Sequence, residues 1–240
     1  MLKLVGFDAD DTLWHSEGYY RRVHDAFEQV LSHYIDVGND IVHEHLLEVE
    51  RNNIKIFGYG AKGMTLSMLE TAVAMTQERI SARHLHEILH LGKDVLSHPV
   101  ELLDGIAQAV TEVARDYQVV LITKGDLFHQ ESKVAKSGLS HLFGRIEIVS
   151  EKDPATYRRV LSEFGIPPSQ FLMVGNSLHS DIAPVLQIGG SAVHMPYPLT
   201  WALETVADFR ADSARFRAVE QASEIPEAVH ALALNVSRHH

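Results

Sequence analysis

Hydrophobic positions follow two different rhythms along the chain. Between residues 16 and 96, apolar side chains recur at helical spacing, which predicts four amphipathic helices over 16–34, 41–56, 64–75 and 81–96. Beyond Pro99, short apolar runs alternate with helical patterns, which predicts strands at 119–123, 146–149, 171–175 and 192–195. An all-helical block therefore precedes an alternating α/β region.

One further apolar run, Leu4 to Phe7, stands before the helical block. Strands that alternate with helices are typical of right-handed βαβ units and a parallel sheet with helices on both faces. The first strand has to join that sheet, because alone it could not bury its backbone. We therefore predict an α/β fold: a Rossmann-like parallel sheet formed by residues 1–14 and 100–240, with an all-helical domain inserted at 15–99.

Three carboxylates, Asp8, Asp10 and Asp11, follow the first predicted strand. In open α/β sheets, ligands bind just beyond the carboxyl ends of the strands. Asp8 and Asp10 are two residues apart, so in an extended chain their side chains lean to the same side and repel each other. Such a pair requires a metal ion or a shared proton, and the residues alone leave both open.

The next two predicted strands also end in polar groups. Thr123, Lys124 and Gly125 stand at the end of one strand, where a hydroxyl and the N–H groups of the turn suit a phosphate oxygen. Lys152 follows the next strand and would neutralise a phosphate as a point charge. The alternatives are a helix cap for Thr123 and an ordinary surface lysine for Lys152.

The strand 171–175 is followed by a loop that contains Asn176 and Asp181. Their amide and carboxylate oxygens are hard ligands of the kind that Mg²⁺ prefers. The alternative for Asp181 is a simple helix N-cap.

Composition narrows the function classes. The chain has 240 residues, 45% hydrophobic and 22% charged, as in ordinary globular proteins. A formal charge of −11 argues against nucleic-acid binding, and the absence of cysteine excludes disulfides, thiolate catalysis and cysteine-based zinc sites. The N-terminus leads directly into a strand and no apolar run is long enough to span a membrane, so we expect a cytoplasmic protein without membrane contacts.

The order of these polar groups resembles a known family. Asp8-Ala9-Asp10-Asp11-Thr12 is similar to the Asp-x-Asp-x-Thr signature of the haloacid dehalogenase superfamily. A strand-terminal Thr, a Lys and a Gly-Asn-Ser…Asp loop follow in that family's usual order. The resemblance covers essentially the whole chain, and the helical block is similar to that family's helical cap domain.

The resemblance implies a role for each matching residue. Asp8 would be the nucleophile that forms an aspartyl-phosphate, and Asp10 would be the general acid and base. Mg²⁺ would be held by the side chains of Asp8 and Asp181 and by the backbone carbonyl of Asp10. Thr123 and Lys152 would hold the phosphoryl oxygens.

Two positions depart from the family pattern. Asn176 stands where the family often has Asp, so the metal shell carries one charge fewer, and Asn176 would bind the metal directly or through water. Lys124 stands where the family commonly has Asn, which leaves open whether Lys124 or Lys152 faces the phosphate. We prefer Lys152, since it leads into the next helix through Pro154 as in the family.

A basic, aromatic and glycine-rich loop joins two predicted helices of the helical block, at 51–63. If the block is a lid, this loop suits contact with the nonreacting part of a substrate; the alternative is an ordinary surface turn. The candidate specificity residues are Arg51, Lys55, Tyr59 and Lys62.

The segment from His86 to His90 matches His-Glu-x-x-His, the pattern of zinc metalloproteases. The chain has 16 histidines, so a chance match is the preferred interpretation. Ile88 and Leu89 within it also fit the core face of a helix.

The function that the resemblance implies is Mg²⁺-dependent hydrolysis of a small phosphorylated metabolite. A metal-independent 2-haloacid dehalogenase would have no need of the acid and base at Asp10, so Asp10 favours phosphate chemistry. A phosphomutase and a noncatalytic phosphate-binding protein remain alternatives. The physiological substrate and the oligomeric state stay open.

Overall fold

The computed structural model describes residues 1–38, 40–206 and 209–238. Its sheet has six parallel strands in the order β3-β2-β1-β4-β5-β6. The strands are β1 Leu4–Phe7, β2 Gln118–Lys124, β3 Arg145–Val149, β4 Phe171–Gly175, β5 Ser191–His194 and β6 Phe216–Ala218. The predicted parallel α/β sheet is confirmed. The last strand was not predicted, because its three residues, Phe-Arg-Ala, form no apolar run.

Strand β1 lies at the centre of this sheet. Phe7 is in register with Leu121 of β2 and with Val174 of β4, so the residue that follows β1 emerges beside the end of β4 and the last residues of β2, which continues to Lys124. After β1 the chain forms β2 and β3 on one side of it and then returns to form β4, β5 and β6 on the other side. The strand order therefore reverses at β1, and its carboxyl end is a topological switch point. The fold thus places Asp8 where open α/β sheets bind ligands.

Helices cover both faces of the sheet. Alternate residues of a strand point to opposite faces, so Leu121 joins one apolar cluster with Val110 and Val229, while Ile122 joins another with Tyr157. These helices are α5 Ile106–Asp116, α6 Leu127–Ser137, α7 Pro154–Phe164, α8 Ala183–Gln187 and α9 Ile225–Arg238.

The chain folds into two compact units. The first contains Met1–Glu17, Val100–Lys124 and Gln130–His240, and the second contains Gly18–Pro99 and Gly125–His129. The predicted domain boundaries, and the role of the helical part as a cap domain, stay predictions.

The second unit is built on four long helices with an apolar core of their own. Phe27, Leu46, Met68 and Ile88 are fully or almost fully buried in it. The helices are α1 Glu17–Leu31, α2 Ile41–Phe57, α3 Ala61–Met75 and α4 Ala82–Ser97. Within the described part of the chain, none of the helices is both long enough and apolar enough to cross a membrane.

Gly92→Ala tests the close approach of α3 and α4. A Cβ atom at position 92 would lie 1.9 Å from Oγ1 of Thr65, so the helices would have to move apart, although alanine otherwise favours a helix over glycine. We expect the free energy of unfolding in urea to fall by about 1–3 kcal/mol, the usual cost of overpacking. In a Thr65→Ala background the loss should be smaller, and an equal loss in both backgrounds would contradict this packing.

Candidate active site

The first turn after β1 is tied to the turn after β4 by one hydroxyl group. Oγ1 of Thr12 lies 3.1 Å from Oδ2 of Asp8 and 3.2 Å from Oδ1 of Asn176. The same hydroxyl oxygen accepts the backbone N–H of Asn176 at 3.1 Å. Thr12 therefore fixes the Asp8 carboxylate relative to the loop that follows β4.

A buried lysine joins two buried carboxylates at the centre of the site. Nζ of Lys152 donates to Oδ1 of Asp8 and, at 2.7 Å, to Oδ1 of Asp181. The side chains of Lys152 and Asp181 are only 2% and 1% exposed, so solvent screens these contacts little. Residues from the ends of β1, β3 and β4 thus meet at one point.

The charges at this point shift the pKa values of their neighbours. Burial, together with the negative charge of Asp181, raises the pKa of Asp8 to about 7, although Lys152 acts in the opposite direction. Burial alone would lower the pKa of Lys152, but Asp181 and Asp8 hold it above its usual value. The lysine is therefore charged at neutral pH, while Asp8 holds its proton to a higher pH than an ordinary aspartate does.

Asp181 is held in place by its own loop as well as by Lys152. The backbone N–H of Ser177 donates to its Oδ2 at 3.0 Å. A Cβ atom at position 175 would lie 2.3 Å from that same oxygen, so only glycine leaves room for the carboxylate. Residues Leu178–Ile182 form a short π-helical turn, a feature found frequently at functional sites.

Asp10 has a different set of partners from Asp8. Its carboxylate accepts hydrogen bonds from Nε1 of Trp14 at 2.6 Å, from Nε2 of Gln130 at 2.9 Å, and from Nζ of Lys133 at 2.6 and 2.7 Å. Burial opposes ionisation, but Lys133, together with the hydrogen bonds from Gln130 and Trp14, outweighs it and holds the pKa of Asp10 below its usual value. Asp8 and Asp10 are thus each paired with a lysine of their own, Lys152 and Lys133, and a metal ion between them stays a prediction.

Asp11 supports the start of helix α1. Its carboxylate accepts the backbone N–H groups of Ser16 at 2.8 Å and of Glu17 at 3.0 Å, and its own φ is 61°, in the left-handed region. Asp and Asn tolerate this conformation better than most residues. The structure thus gives Asp11 a capping contact at the end of the first motif.

Thr123 is almost fully buried at the end of β2, and Gln130 lies beside it. Nε2 of Gln130 is 3.2 Å from Oγ1 of Thr123 and 2.5 Å from the backbone oxygen of Lys124. Oε1 of Gln130 is buried and accepts no hydrogen bond from the described residues. Gln130 therefore links the end of β2 to Asp10.

Lys124 is paired with Glu204, a residue that the sequence did not single out. Nζ of Lys124 lies 2.6 Å from Oε1 of Glu204, 2.8 Å from Oγ of Ser180 and 3.4 Å from Oε1 of Glu151. Of the two lysines left open by the sequence, Lys152 contacts Asp8 and Lys124 contacts Glu204. Which of them faces a phosphate stays a prediction.

The other candidate specificity residues belong to the helical unit. Arg51 and Lys55 lie on α2, Tyr59 lies in the turn that follows it, and Lys62 lies on α3, where its Nζ pairs with Asp126 at 2.9 Å. Gly125 belongs to the same unit and has φ of 130°, which favours glycine. A role for these residues in specificity stays a prediction.

The two histidines of the His-Glu-x-x-His segment contact each other on α4, with the rings of His86 and His90 4.5 Å apart. Over the described residues, no group of three His, Asp or Glu side chains is arranged to hold a metal. The predicted Mg²⁺ site would accordingly use only two carboxylates, Asp8 and Asp181, completed by the carbonyl of Asp10 and the amide of Asn176.

Three residues of the site escaped the sequence analysis: Gln130, Lys133 and Glu204. The first two are three residues apart on α6, on one helix face, so a polar pair at that spacing after Thr123 was a usable signal. Glu204 ends a short 3₁₀ turn, Ala202–Glu204, beyond the last predicted motif. No periodicity or motif marks Glu204 in the sequence.

Comparisons with known proteins found similar chains. A model of the haloacid dehalogenase-like hydrolase family matches residues 2–189. The crystal structure of a haloacid dehalogenase-like family hydrolase from Xanthomonas campestris is similar to the chain, with 54% identity and a TM-score of 0.89, covering 100% of this chain and 95% of that one.

Two further similarities are more distant. Glyceraldehyde 3-phosphate phosphatase of Methanothermobacter thermautotrophicus is 25% identical over 84% of this chain and 89% of its own length. The structure of 2-haloacid dehalogenase from Pseudomonas syringae has a TM-score of 0.63 at 20% identity, covering 96% of this chain and 99% of that one. The dehalogenase therefore shares the fold with this chain.

Lys133→Met removes the ammonium group that contacts both oxygens of Asp10. We expect the free energy of unfolding at pH 7 to fall by about 1–3 kcal/mol, less than for a fully buried pair, because the Asp10 side chain is 30% exposed. Lys136→Met, an exposed position on the same helix, is the control and should change stability by less than about 0.5 kcal/mol.

The same variant should change the pH dependence of stability. Since Lys133 holds the folded pKa of Asp10 below the unfolded value of 3.8, the ion pair stabilises the fold above that value and loses its effect as the pH falls through the folded pKa. The difference between wild type and Lys133→Met should shrink below about pH 4 in urea titrations. A difference that stays constant to about pH 2.5 would contradict the assigned ion pair.

Proposed function

We propose that this chain, which belongs to the haloacid dehalogenase-like hydrolases, is a phosphatase that hydrolyses a small phosphomonoester through an aspartyl-phosphate on Asp8. The observation that carries the proposal is the buried contact of Lys152 with Asp8 and Asp181 at the end of the central strand. The likeness to a glyceraldehyde 3-phosphate phosphatase supports attack on phosphorus rather than on carbon.

Asp8 is the nucleophile in this proposal. One carboxylate oxygen attacks phosphorus and forms an O–P bond as the bond from phosphorus to the substrate oxygen breaks. Water then attacks the same phosphorus, inorganic phosphate leaves and the carboxylate is restored. Lys152 orients Asp8 and offsets its charge, which otherwise repels an approaching phosphate.

Asp10 carries the proton in both steps. In the second step it accepts a proton from the attacking water, and the Lys133 ion pair suits this role because it keeps the carboxylate ionised. In the first step Asp10 donates a proton to the departing substrate oxygen, so it must bind one beforehand. Substrates with poor leaving groups should depend on Asp10 most strongly.

Thr123 and Lys152 are the proposed phosphoryl ligands. Gln130 fixes the hydroxyl oxygen of Thr123, and Lys152 is fixed by two carboxylates, so both groups are positioned before a substrate arrives. Such positioning lowers the reorganisation needed to reach the transition state.

The donor set fits Mg²⁺. Asp8 and Asp181 place two carboxylates against a single ammonium group, which leaves a net negative charge when all three are ionised. Asp8, Asp181, the backbone carbonyl of Asp10 and Asn176, directly or through water, would hold the ion. Bound there, Mg²⁺ would offset the charge of the phosphoryl oxygens.

A dehalogenase attacks carbon with the same aspartate and needs no proton carrier. The hydrogen bonds from Trp14, Gln130 and Lys133 to Asp10 favour the phosphatase, because they position a carboxylate for which dehalogenation has no use. A phosphate-release screen with Mg²⁺ over p-nitrophenyl phosphate, glyceraldehyde 3-phosphate, sugar phosphates, nucleotides and phosphoglycolate tests the proposal. Chloride release from 2-chloropropionate without phosphate release, or phosphate binding without turnover, would refute it.

Asp8→Asn should abolish phosphate release. The amide has nearly the same shape but is a far weaker nucleophile, so we expect kcat/KM to fall by on the order of 10³-fold or more. Lys152 keeps Asp181 as a partner, so the variant should fold, which circular dichroism checks. Activity within about tenfold of wild type would remove Asp8 from its proposed role.

Mg²⁺ binding should depend on pH and be required for turnover. EDTA should abolish phosphate release and Mg²⁺ should restore it. Because burial and Asp181 raise the pKa of Asp8 to about 7, a proton must leave Asp8 as the ion binds, and the apparent affinity should fall as the pH drops below 7. Calorimetry between about pH 5.5 and 8 measures this, and an affinity independent of pH would contradict it.

A further inference from the structure

We propose that Glu204 is a positioning residue, one that fixes the proposed metal ligand Asp181 through Ser177 and Ser180 and at the same time holds Lys124. The inference rests on the proposed function, because Asp181 is a metal ligand only in that proposal. Glu204 lies beyond the segment that matches the family model, which ends at residue 189. Its side chain is 16% exposed, so it is largely enclosed by its partners.

One carboxylate oxygen of Glu204 accepts hydrogen bonds from two serine hydroxyls. Oε2 accepts from Oγ of Ser177 and, at 2.6 Å, from Oγ of Ser180. Oγ of Ser177 in turn accepts the backbone N–H of Ser180 at 2.9 Å, which closes the first turn of the loop. The carboxylate thus sets the rotamers of both serines.

Ser177 connects Glu204 to Asp181. While its hydroxyl points to Glu204, the backbone N–H of Ser177 donates to Oδ2 of Asp181 at 3.0 Å. The other oxygen of Asp181 is bound by Lys152 at 2.7 Å. An unbroken series of hydrogen bonds therefore runs from Glu204 through Ser177 and Asp181 to Lys152.

The second carboxylate oxygen of Glu204 holds a lysine. Oε1 lies 2.6 Å from Nζ of Lys124, whose side chain is 12% exposed, and that ammonium also donates to Oγ of Ser180 at 2.8 Å. Ser180 is thereby bound by both members of the ion pair. Removing the charge of Glu204 loosens the lysine and the serine turn together.

Glu204→Gln keeps the length of the side chain and one acceptor oxygen but removes the charge. Groups that orient metal ligands typically change metal affinity or activity by 10–100-fold when replaced. We therefore expect the Kd for Mg²⁺, measured by calorimetry on the protein without substrate, to rise by about 10–100-fold. At saturating Mg²⁺, kcat should return to within about threefold of the wild-type value, because Glu204 contacts no reacting atom.

Glu163→Gln is the matched control. Glu163 is also an acid paired with two cations, Arg145 and Arg159, and neither arginine belongs to the Ser177 loop. Its substitution should leave the Kd for Mg²⁺ unchanged. A purely structural effect of Glu204→Gln would lower the melting temperature without changing the Kd, so an unchanged Kd in a folded Glu204→Gln protein overturns the proposal.

Ser177→Ala tests whether Glu204 acts on Asp181 through Ser177. It also provides a test if Glu204→Gln does not fold. Loss of the hydroxyl should raise the Kd for Mg²⁺ in the same direction, and an unchanged Kd in this variant also overturns the proposal. Wild-type protein that binds Mg²⁺ but releases no phosphate refutes the phosphatase, while calorimetry still decides the role of Glu204. Wild-type protein that binds no Mg²⁺ refutes the positioning proposal itself.

Discussion

The contact of one buried ammonium with two buried carboxylates is the constraint on which the rest of the site depends. Lys152 touches Asp8 and Asp181, which lie 144 and 29 positions away in the sequence. Each of these charges would be costly to bury alone, so each stabilises the placement of the other two. Burial and the negative charge of Asp181 raise the pKa of Asp8 at this contact, while Lys152 acts in the opposite direction.

The parallel sheet makes this contact possible. Strand β1 pairs with β4 on one side, and β2 and β3 follow on its other side, so the carboxyl ends of β1, β3 and β4 lie at the same edge of the sheet. Close backbone approach completes the arrangement, since Gly175 leaves space for Asp181 that a Cβ atom would fill. The sheet thus determines where the loops lie, and the loops bear the polar side chains of the site.

The sequence predicted the parts of the site that follow a strand. Asp8, Lys152 and Asp181 each come shortly after an apolar run, and the rule that strand ends share one edge of the sheet brings them together. The same rule could not separate Lys124 from Lys152, because both stand at or after a strand end and only their contacts differ. The rule says nothing about Lys133 and Glu204, because Lys133 lies on helix α6 and Glu204 lies in a short 3₁₀ turn.

The separation of Asp8 from Asp10 shows why spacing alone was insufficient. Two residues apart in an extended strand, their side chains would lean to one side, but the turn from Ala9 to Trp14 directs Asp10 toward Lys133. The environments then push the two pKa values in opposite directions, up for Asp8 and down for Asp10. Paired groups with divergent pKa values are typical of sites that divide two chemical roles between them. The proposed nucleophile and the proposed proton carrier form such a pair, and here the divergence follows from burial and Asp181, which raise the pKa of Asp8, and from Lys133, which lowers the pKa of Asp10.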